Sequence, residues 1–424
     1  MRTQTKWNYL FILTLTDPPI PPYDSHHTGD TRDDCLNKIL AKNAFVEIPN
    51  SSNQPQQICG NGDKSTITPV LSFTKDIVPT HWWDGTLIEH SEKEISSRIA
   101  QPPLHTGWEW PRQRSNATLN ENQNNFYCPY YRTIHKKISK KFTEHHGKMY
   151  RPLFHEMEKR LTLLSNSNST FTIPLDHPFH HILPSFFHTL ENLQKRGKRY
   201  NLVFRSFGSD LQNVAIALSD FAVGRHPLFP NFREPSLILS KEFLFRGRYK
   251  KVASKTITEQ NDVEIAAIYE LYQWDSDLSI PIASGDIEVL KIIENVPVCG
   301  IQDDYHFWKE NNFMPSSGKP VWFYPPSDAK KYKNNTINIR DEYCHHILFD
   351  DNIHNDPTNS IVSIRSSDSL IKNKAKFRPL NGDEIINQHG KHIIRVPTIE
   401  PIMNPNWFLE QITAAEKCLT NKLH

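Results

Sequence analysis

Residues 184–224 read PSFFHTLENLQKRGKRYNLVFRSFGSDLQNVAIALSDFAVG, and their pattern sets the fold class. Phe186, Phe187, Leu190 and Leu193 recur at helical spacing, and Gly197 stands where a helix would close. The run YNLVF that follows is apolar and strand-like. A second helix is predicted from about Ser209 or Asp210, with Leu211, Val214, Ala215, Leu218 and Phe221 on one face and Gly224 at its end. Helix, strand and helix with tight connections is the rhythm of a βαβ sheet.

Working outward, the pattern returns at both ends of the chain. Residues 9–16 predict a first core strand ending at Asp17 and the prolines of TDPPIPP, and Asp33–Ala41 predict a short helix. Arg2 and Lys6 precede YLFILTL as in a signal peptide, but prolines rather than a small-residue cleavage site follow, so the core strand is preferred. Residues 50–125 are dominated by runs such as NSSNQPQQICGNGDKST, loop-like in composition. The basic, aromatic segment from Tyr131 to Leu161 predicts helix in two pieces. Beyond the opening stretch, LILSKEFLF and DVEIAAIYELYQW read as strands or hairpins and IEVLKIIE as helix. VPVCGI then reads as strand, DDYHFWKENN as a helix capped by Asp303 or Asp304, HHILF and SIVSIR as strands, and NPNWFLEQITAAEKCL as a last helix.

The chain of 424 residues is long enough for a large core and more than one compact unit. Lys plus Arg number 49 against 47 Asp plus Glu, so there is no general field for nucleic acid or an anionic membrane, and neither is expected as a partner. Mean hydropathy is −0.58 and no apolar run reaches the roughly 20 residues of a membrane span. Six cysteines without a CxxC pair argue against a disulfide framework or zinc ribbon, so a reducing, cytoplasmic location is expected over secretion.

The strand ends carry the candidate chemistry. In a doubly wound sheet, functional groups collect at the carboxyl ends of the strands. Here those ends offer Asp17, Ser206 after YNLVFR, and Asp350 with Asp351 after HHILF, while Lys319 sits in SGKP. Two carboxylates about 4 Å apart repel by roughly 4 kcal/mol at an effective dielectric near 20, which water, protonation or a cation relieves. An attacking carboxylate, a hydroxyl with helix N-terminal amides, a lysine and an acid pair for Mg²⁺ together suit a phosphoryl group. Each has a plainer alternative: a solvated loop at Asp350–Asp351, a turn at Ser206, a surface Lys319, and a local ion pair between Arg205 and Asp210.

With these residues in order, the chain resembles the haloacid dehalogenase (HAD) superfamily, and most nearly its uncharacterised eukaryotic members. The likeness rests on LPSFFHTLENL…YNLVFRSFGSDLQNV, GIQDDYHFW…SGKP, ILFDDN and IVSIR, and covers roughly the last two-thirds of the chain. It implies an α/β fold, a doubly wound, mostly parallel Rossmannoid sheet, with residues 1–35 giving the first strand, 36–180 an inserted cap and 181–424 the main core. It further implies a Mg²⁺-dependent phosphomonoesterase whose catalytic residues are Asp17, Ser206, Lys319 and Asp350. Ser206, Phe207, Gly208 and Lys319 would hold phosphate, and Asp17, Asp350 and Asp351 the metal. The departure is at the first motif, where the family has Asp-x-Asp. If Asp17 attacks, Pro19 stands at the acid/base position; if Asp17 is the second acid, Leu15 stands at the nucleophile. The strand pattern favours the first register. The other reading of such a chain is a silent HAD-like protein that binds a small phosphorylated molecule, a phosphoprotein or another protein.

Overall fold

The computed structural model describes residues 8–15, 32–42, 44–49, 81–82, 125–129, 139–163, 180–257, 263–312, 314–323, 344–351, 361–367, 376–380, 384–385 and 387–420. Its first strand is β1 (Asn8–Leu15), followed by α1 (Arg32–Lys42), β2 (Ala44–Pro49), β3 (His81–Trp82), β4 (Asn125–Pro129) and α2 (Arg151–Leu161). Next come α3 (Pro184–Lys195), β5 (Arg199–Ser206) and α4 (Leu211–Ala222). The long strands β6 (Leu244–Ile257) and β7 (Val263–Gln273) precede β8 (Ala283–Ser284), α5 (Asp286–Asn295), β9 (Val298–Gln302) and α6 (Tyr305–Glu310). The chain continues through β10 (Lys319–Phe323), β11 (Cys344–Asp350), β12 (Val362–Ser367), β13 (Phe377–Pro379) and β14 (Ile393–Arg395), then α7 (Ile399–Met403) and α8 (Trp407–Thr420).

The opening stretch folds as its pattern predicts. Pro184 begins α3, where its missing amide proton is not needed. Gly197 closes the helix at φ +64°, with Lys198 N donating to Leu193 O and Gly197 N to Gln194 O. The same closure ends α4, where Gly224 lies at φ +69° and Arg225 N donates to Asp220 O. Both helices turn their apolar faces onto β5.

An eight-stranded sheet forms the centre, in the order β14-β11-β1-β5-β9-β6-β7-β8. From β14 through β6 every pairing is parallel; β7 and β8 add antiparallel pairings at one edge. The architecture is therefore α/β with a mostly parallel sheet. Side chains alternate between its faces. Leu202, Phe204, Ile347 and Phe349 pack under α3, α4 and α8, against Phe186, Leu218 and Phe408. Val203, Leu348, Cys299 and Ile301 pack on the opposite face, against Val289 and Ile293 of α5 and Trp322 and Ile364 of a second sheet. Each such side chain contributes about 1.5–3 kcal/mol relative to exposure. Burial on both faces explains why these strands read as continuous apolar runs.

The second layer differs from a purely helical one. The sheet β10-β12-β13 covers part of that face, with β10 and β12 parallel, so SIVSIR belongs there and not to the central sheet. Arg365 Nη1 and Trp322 Nε1 both donate to Asp286 Oδ1, at 2.6 and 2.7 Å, tying this sheet to the start of α5. His346 bridges Trp322 O and Glu294 Oε1, at 2.6 and 3.0 Å, fixing β11 beneath it.

Two other segments depart from expectation. LILSKEFLF forms 3-10 turns at Pro235–Leu237 and Lys241–Phe243 before β6 begins at Leu244. The basic segment is helical only in α2; before it lie 3-10 turns at Ser139–Glu144 and Lys148–Tyr150. The break falls at Gly147, where a Cβ would stand 2.3 Å from the Phe142 ring. Between residues 36 and 180, the described residues also hold the antiparallel sheet β3-β2-β4. Helix α1 runs unbroken across residues 35 and 36, and Asn37 Oδ1 accepts from the Thr143 amide at 2.8 Å. Among the described residues, no helix is long and apolar enough to cross a membrane.

Candidate functional site

The carboxyl ends of β11, β1 and β5 are neighbours. Leu13 of β1 is level with Phe349, and Leu15 with Ser206. Ser206 and Asp350 therefore stand on either side of the end of β1. Asp17 lies outside the described residues, two positions beyond Leu15.

Arg205 and Ser206 are consecutive on β5 and so point to opposite faces. Arg205 is 1% exposed. Its Nε donates to Asp303 Oδ2 at 3.0 Å and its Nη2 to Asp303 Oδ1, while Nη1 donates to Pro320 O. Tyr269 OH donates to the same carboxylate at 2.5 Å and accepts from Nη2 at 3.0 Å. Burial works against the guanidinium charge, but the Asp303 carboxylate and its hydrogen bonds hold the Arg205 pKa above an ordinary arginine. Desolvating such a pair costs several kcal/mol per ion, which bidentate geometry and an added hydroxyl offset. Asp303 N also donates to Ser206 O at 2.8 Å. One ion pair thus fixes the ends of β5 and β9, the middle of β7 and the start of β10.

Ser206 begins the turn into α4. Its Oγ accepts from Gly208 N at 2.9 Å and donates to Asp210 Oδ2 at 3.0 Å. A Cβ on Gly208 would stand 2.9 Å from that carboxylate oxygen, so glycine leaves room for it. Asp210 occupies the cap position of α4 but makes no capping hydrogen bond there. Between them, half-buried Phe207 stacks on Trp308 of α6, with centroids 5.1 Å apart and planes at 13°. Tyr305 meets Phe207 edge-on at 5.8 Å.

Lys319 opens β10 and is fully buried. Its ammonium lies 4.8 Å from the centre of the Phe207 ring, and its Nζ has no hydrogen-bond acceptor among the described residues. Burial lowers its pKa most; Asp350, Asp303 and Asp351 pull the other way, and Arg205 adds to the lowering. Asp350 ends β11 at 1% exposure, its carbonyl accepting from Val396 N at 2.9 Å, whereas Asp351 is half-buried. Two carboxylates beside a buried ammonium suit a hard cation chemically, as oxygen ligands. Among the described residues, however, no group of three or more His, Cys, Asp or Glu side chains is arranged to hold a metal.

Three of the plainer alternatives meet contrary geometry, at Asp350, Lys319 and Arg205, while Ser206 does begin a turn into α4, as its plainer alternative has it. Asp350 is no solvated loop residue, and Lys319 is not on the surface. Arg205 pairs with Asp303, not with Asp210, which instead accepts from Ser206. Sequence reasoning missed Asp303 and Tyr269 as part of this site. Asp304 proves to be the cap of α6, accepting from Phe307 N at 3.0 Å, and that leaves Asp303 for Arg205. The adjacent DD dipeptide was the available signal; nothing local marks Tyr269.

Fold and site define an α/β protein in which a hydroxyl, a buried lysine and an acid pair gather at the carboxyl edge of a mostly parallel sheet. No protein-family model matches the chain, and no curated protein or solved structure does either.

Proposed function

We propose that this chain is a HAD-like hydrolase that removes phosphate from a phosphomonoester with Mg²⁺. The observation that carries the reading is Lys319: an ammonium at zero exposure, without an acceptor among the described residues, at the sheet edge that bears Ser206 and Asp350. A phosphoryl group would supply the oxygens that this cation lacks. Ser206 Oγ, turning from Asp210, and the amides of Phe207 and Gly208, the latter released from Ser206 Oγ, would orient those oxygens, and Lys319 would neutralise them. Asp350 and Asp351, with Asp17, would hold Mg²⁺, which when bound supplies charge stabilisation at phosphorus. Asp17 is the attacking carboxylate by sequence. Phe207 stacks on Trp308 and lies 4.8 Å from the ammonium, a cation–π contact that would favour its charged form. Buried Cys299, its thiol pushed up to about 12 by burial, is unreactive; a cytoplasmic location is proposed with this reading from the absence of a CxxC pair in the sequence.

The silent reading draws on one specific feature, Pro19 in place of the second acid. Calorimetry and turnover separate the two. Mg²⁺ binding is expected in the parent protein and absent in Asp350→Ala. Hydrolysis of a generic phosphate ester is expected to fall at least 10³-fold in Asp17→Asn, in line with roughly 10²–10⁴-fold for a lost catalytic group. Mg²⁺ binding without Asp17-dependent turnover selects the silent binder. Neither binding nor turnover removes the site.

A further inference from the structure

We propose that the phosphorylated substrate is aromatic close to its phosphate, its ring seated on Tyr305 while the phosphate meets Lys319. The inference rests on the phosphatase reading above, of which it needs only the contact between Lys319 and an anion, not turnover. Three observations carry it. Lys319 is fully buried, and its Nζ has no hydrogen-bond acceptor among the described residues. The side chain beside that ammonium is a ring, Phe207, with its centre 4.8 Å from Nζ. That ring belongs to an aromatic cluster whose outer member, Tyr305, is 41% exposed.

The cluster leads from solvent to the cation. Phe207 stacks on Trp308, and Tyr305 meets both rings edge-on, at 5.8 and 6.1 Å. Phe207 and Trp308 pack against the core that holds Val321 and Trp322 of β10, the strand that Lys319 opens. Rings and ammonium are therefore fixed by one set of contacts. The connection from α6 to β10 carries a second exposed apolar side chain, Met314.

What this surface takes is set by the charge beside it. A planar ligand without charge would gain the ring contact and leave the buried ammonium without an acceptor. An aliphatic phosphate would supply the acceptor and leave Tyr305 in water. A ring joined to a phosphate, directly or through one carbon, satisfies both. Rings pair offset or edge to face at centroid separations of about 4.5–7 Å, and an ammonium meets an anionic oxygen at about 2.7–2.9 Å. The link is short because a single ring, Phe207, bridges Tyr305 and the ammonium. Asp350 and Asp351 act electrostatically on Lys319 and repel an anion, so Mg²⁺ belongs in the test.

Phosphonates test this without hydrolysis, because their C–P bond resists it. Benzylphosphonate and ethylphosphonate are titrated by calorimetry, with Mg²⁺, into the full-length parent, Tyr305→Ala and Tyr305→Phe. The parent is expected to bind benzylphosphonate roughly tenfold more tightly than ethylphosphonate. Tyr305→Ala, at an exposed position, is expected to lower that ratio by about 2- to 10-fold, through benzylphosphonate alone. Tyr305→Phe keeps the ring and is expected to keep the ratio. Benzyl alcohol, which lacks the anion, is expected not to displace benzylphosphonate. No preference in the parent, a ratio unchanged in Tyr305→Ala or lost in Tyr305→Phe, or displacement by benzyl alcohol overturns the inference and leaves Lys319 as an anion site. A parent that binds neither phosphonate overturns the phosphate contact of Lys319 first, and this inference with it.

Discussion

At the scale of single residues, the Arg205–Asp303 pair determines how firmly the site is held. Both partners are buried, so removing one leaves the other charged and unpaired in a dry environment. Asp303→Ala is expected to lose about 3–5 kcal/mol of stability, read as a lower urea midpoint. Tyr269→Phe deletes only one hydroxyl from the network and is expected to lose about 1–2 kcal/mol. If both changes prove neutral, Asp303 is not the group that offsets the buried guanidinium. Ser206, Lys319, Asp350 and Asp351 were legible because each sits at a strand end or turn with a recognisable local pattern. Arg205 with Asp303, and Asp303 with Tyr269, were not. These partners are 98 and 34 residues apart, and only the sheet brings them together.

At the scale of elements, legibility followed local punctuation. Helices α3 and α4 were readable because apolar spacing and a closing glycine agree, and β5 because both its faces are buried. Strand β6 was blurred by 3-10 turns whose apolar residues mimic a strand, and β12 gave no hint of which sheet it would join. The two closing glycines allow a graded test. Gly197 has nothing within 4 Å of a built Cβ, so Gly197→Ala should lose only the left-handed backbone penalty of roughly 1–2 kcal/mol. At Gly224 a Cβ would fall on the Arg233 guanidinium, so Gly224→Ala should lose that penalty and also displace the side chain. Thermal midpoints are expected in the order parent, Gly197→Ala, Gly224→Ala. Equal midpoints for the two variants would mean that Arg233 moves without penalty.

At the scale of the whole molecule, buried imidazoles dominate the response to acid. Burial lowers His180 to about 3, His226 and His345 to about 4, and His389 to about 2, with neighbouring cations or histidines adding to the effect at His180, His345 and His389. His392 is also pushed well below the usual value, first by burial and then by His345. The folded state keeps these rings neutral while the unfolded chain protonates them near pH 6.5, so the unfolded state binds more protons below that pH. Stability is therefore full above about pH 6.5 and falls as pH drops toward 4, by up to about 1.4 kcal/mol per pH unit for each ring. Because His180 stacks on His226 and His345 meets His392 edge-on, these rings respond to acid as pairs rather than independently. Urea midpoints measured from pH 8 to 5 should show this slope, and His226→Phe should make it shallower by about a fifth. A flat profile would mean that these rings are protonated in the folded protein.

The position of β1 has a consequence for biosynthesis. The first described strand is third in the sheet, and its partners begin at Arg199 and Cys344. At roughly 5–20 residues per second, a ribosome delivers the first partner about ten seconds or more after β1 emerges, and the second nearly as long again. Throughout that interval the nascent polypeptide carries an apolar segment with unsatisfied backbone groups. Holdase chaperones that recognise such segments have a target here throughout that interval, and both neighbours of β1 are present only once Asp350 has been made.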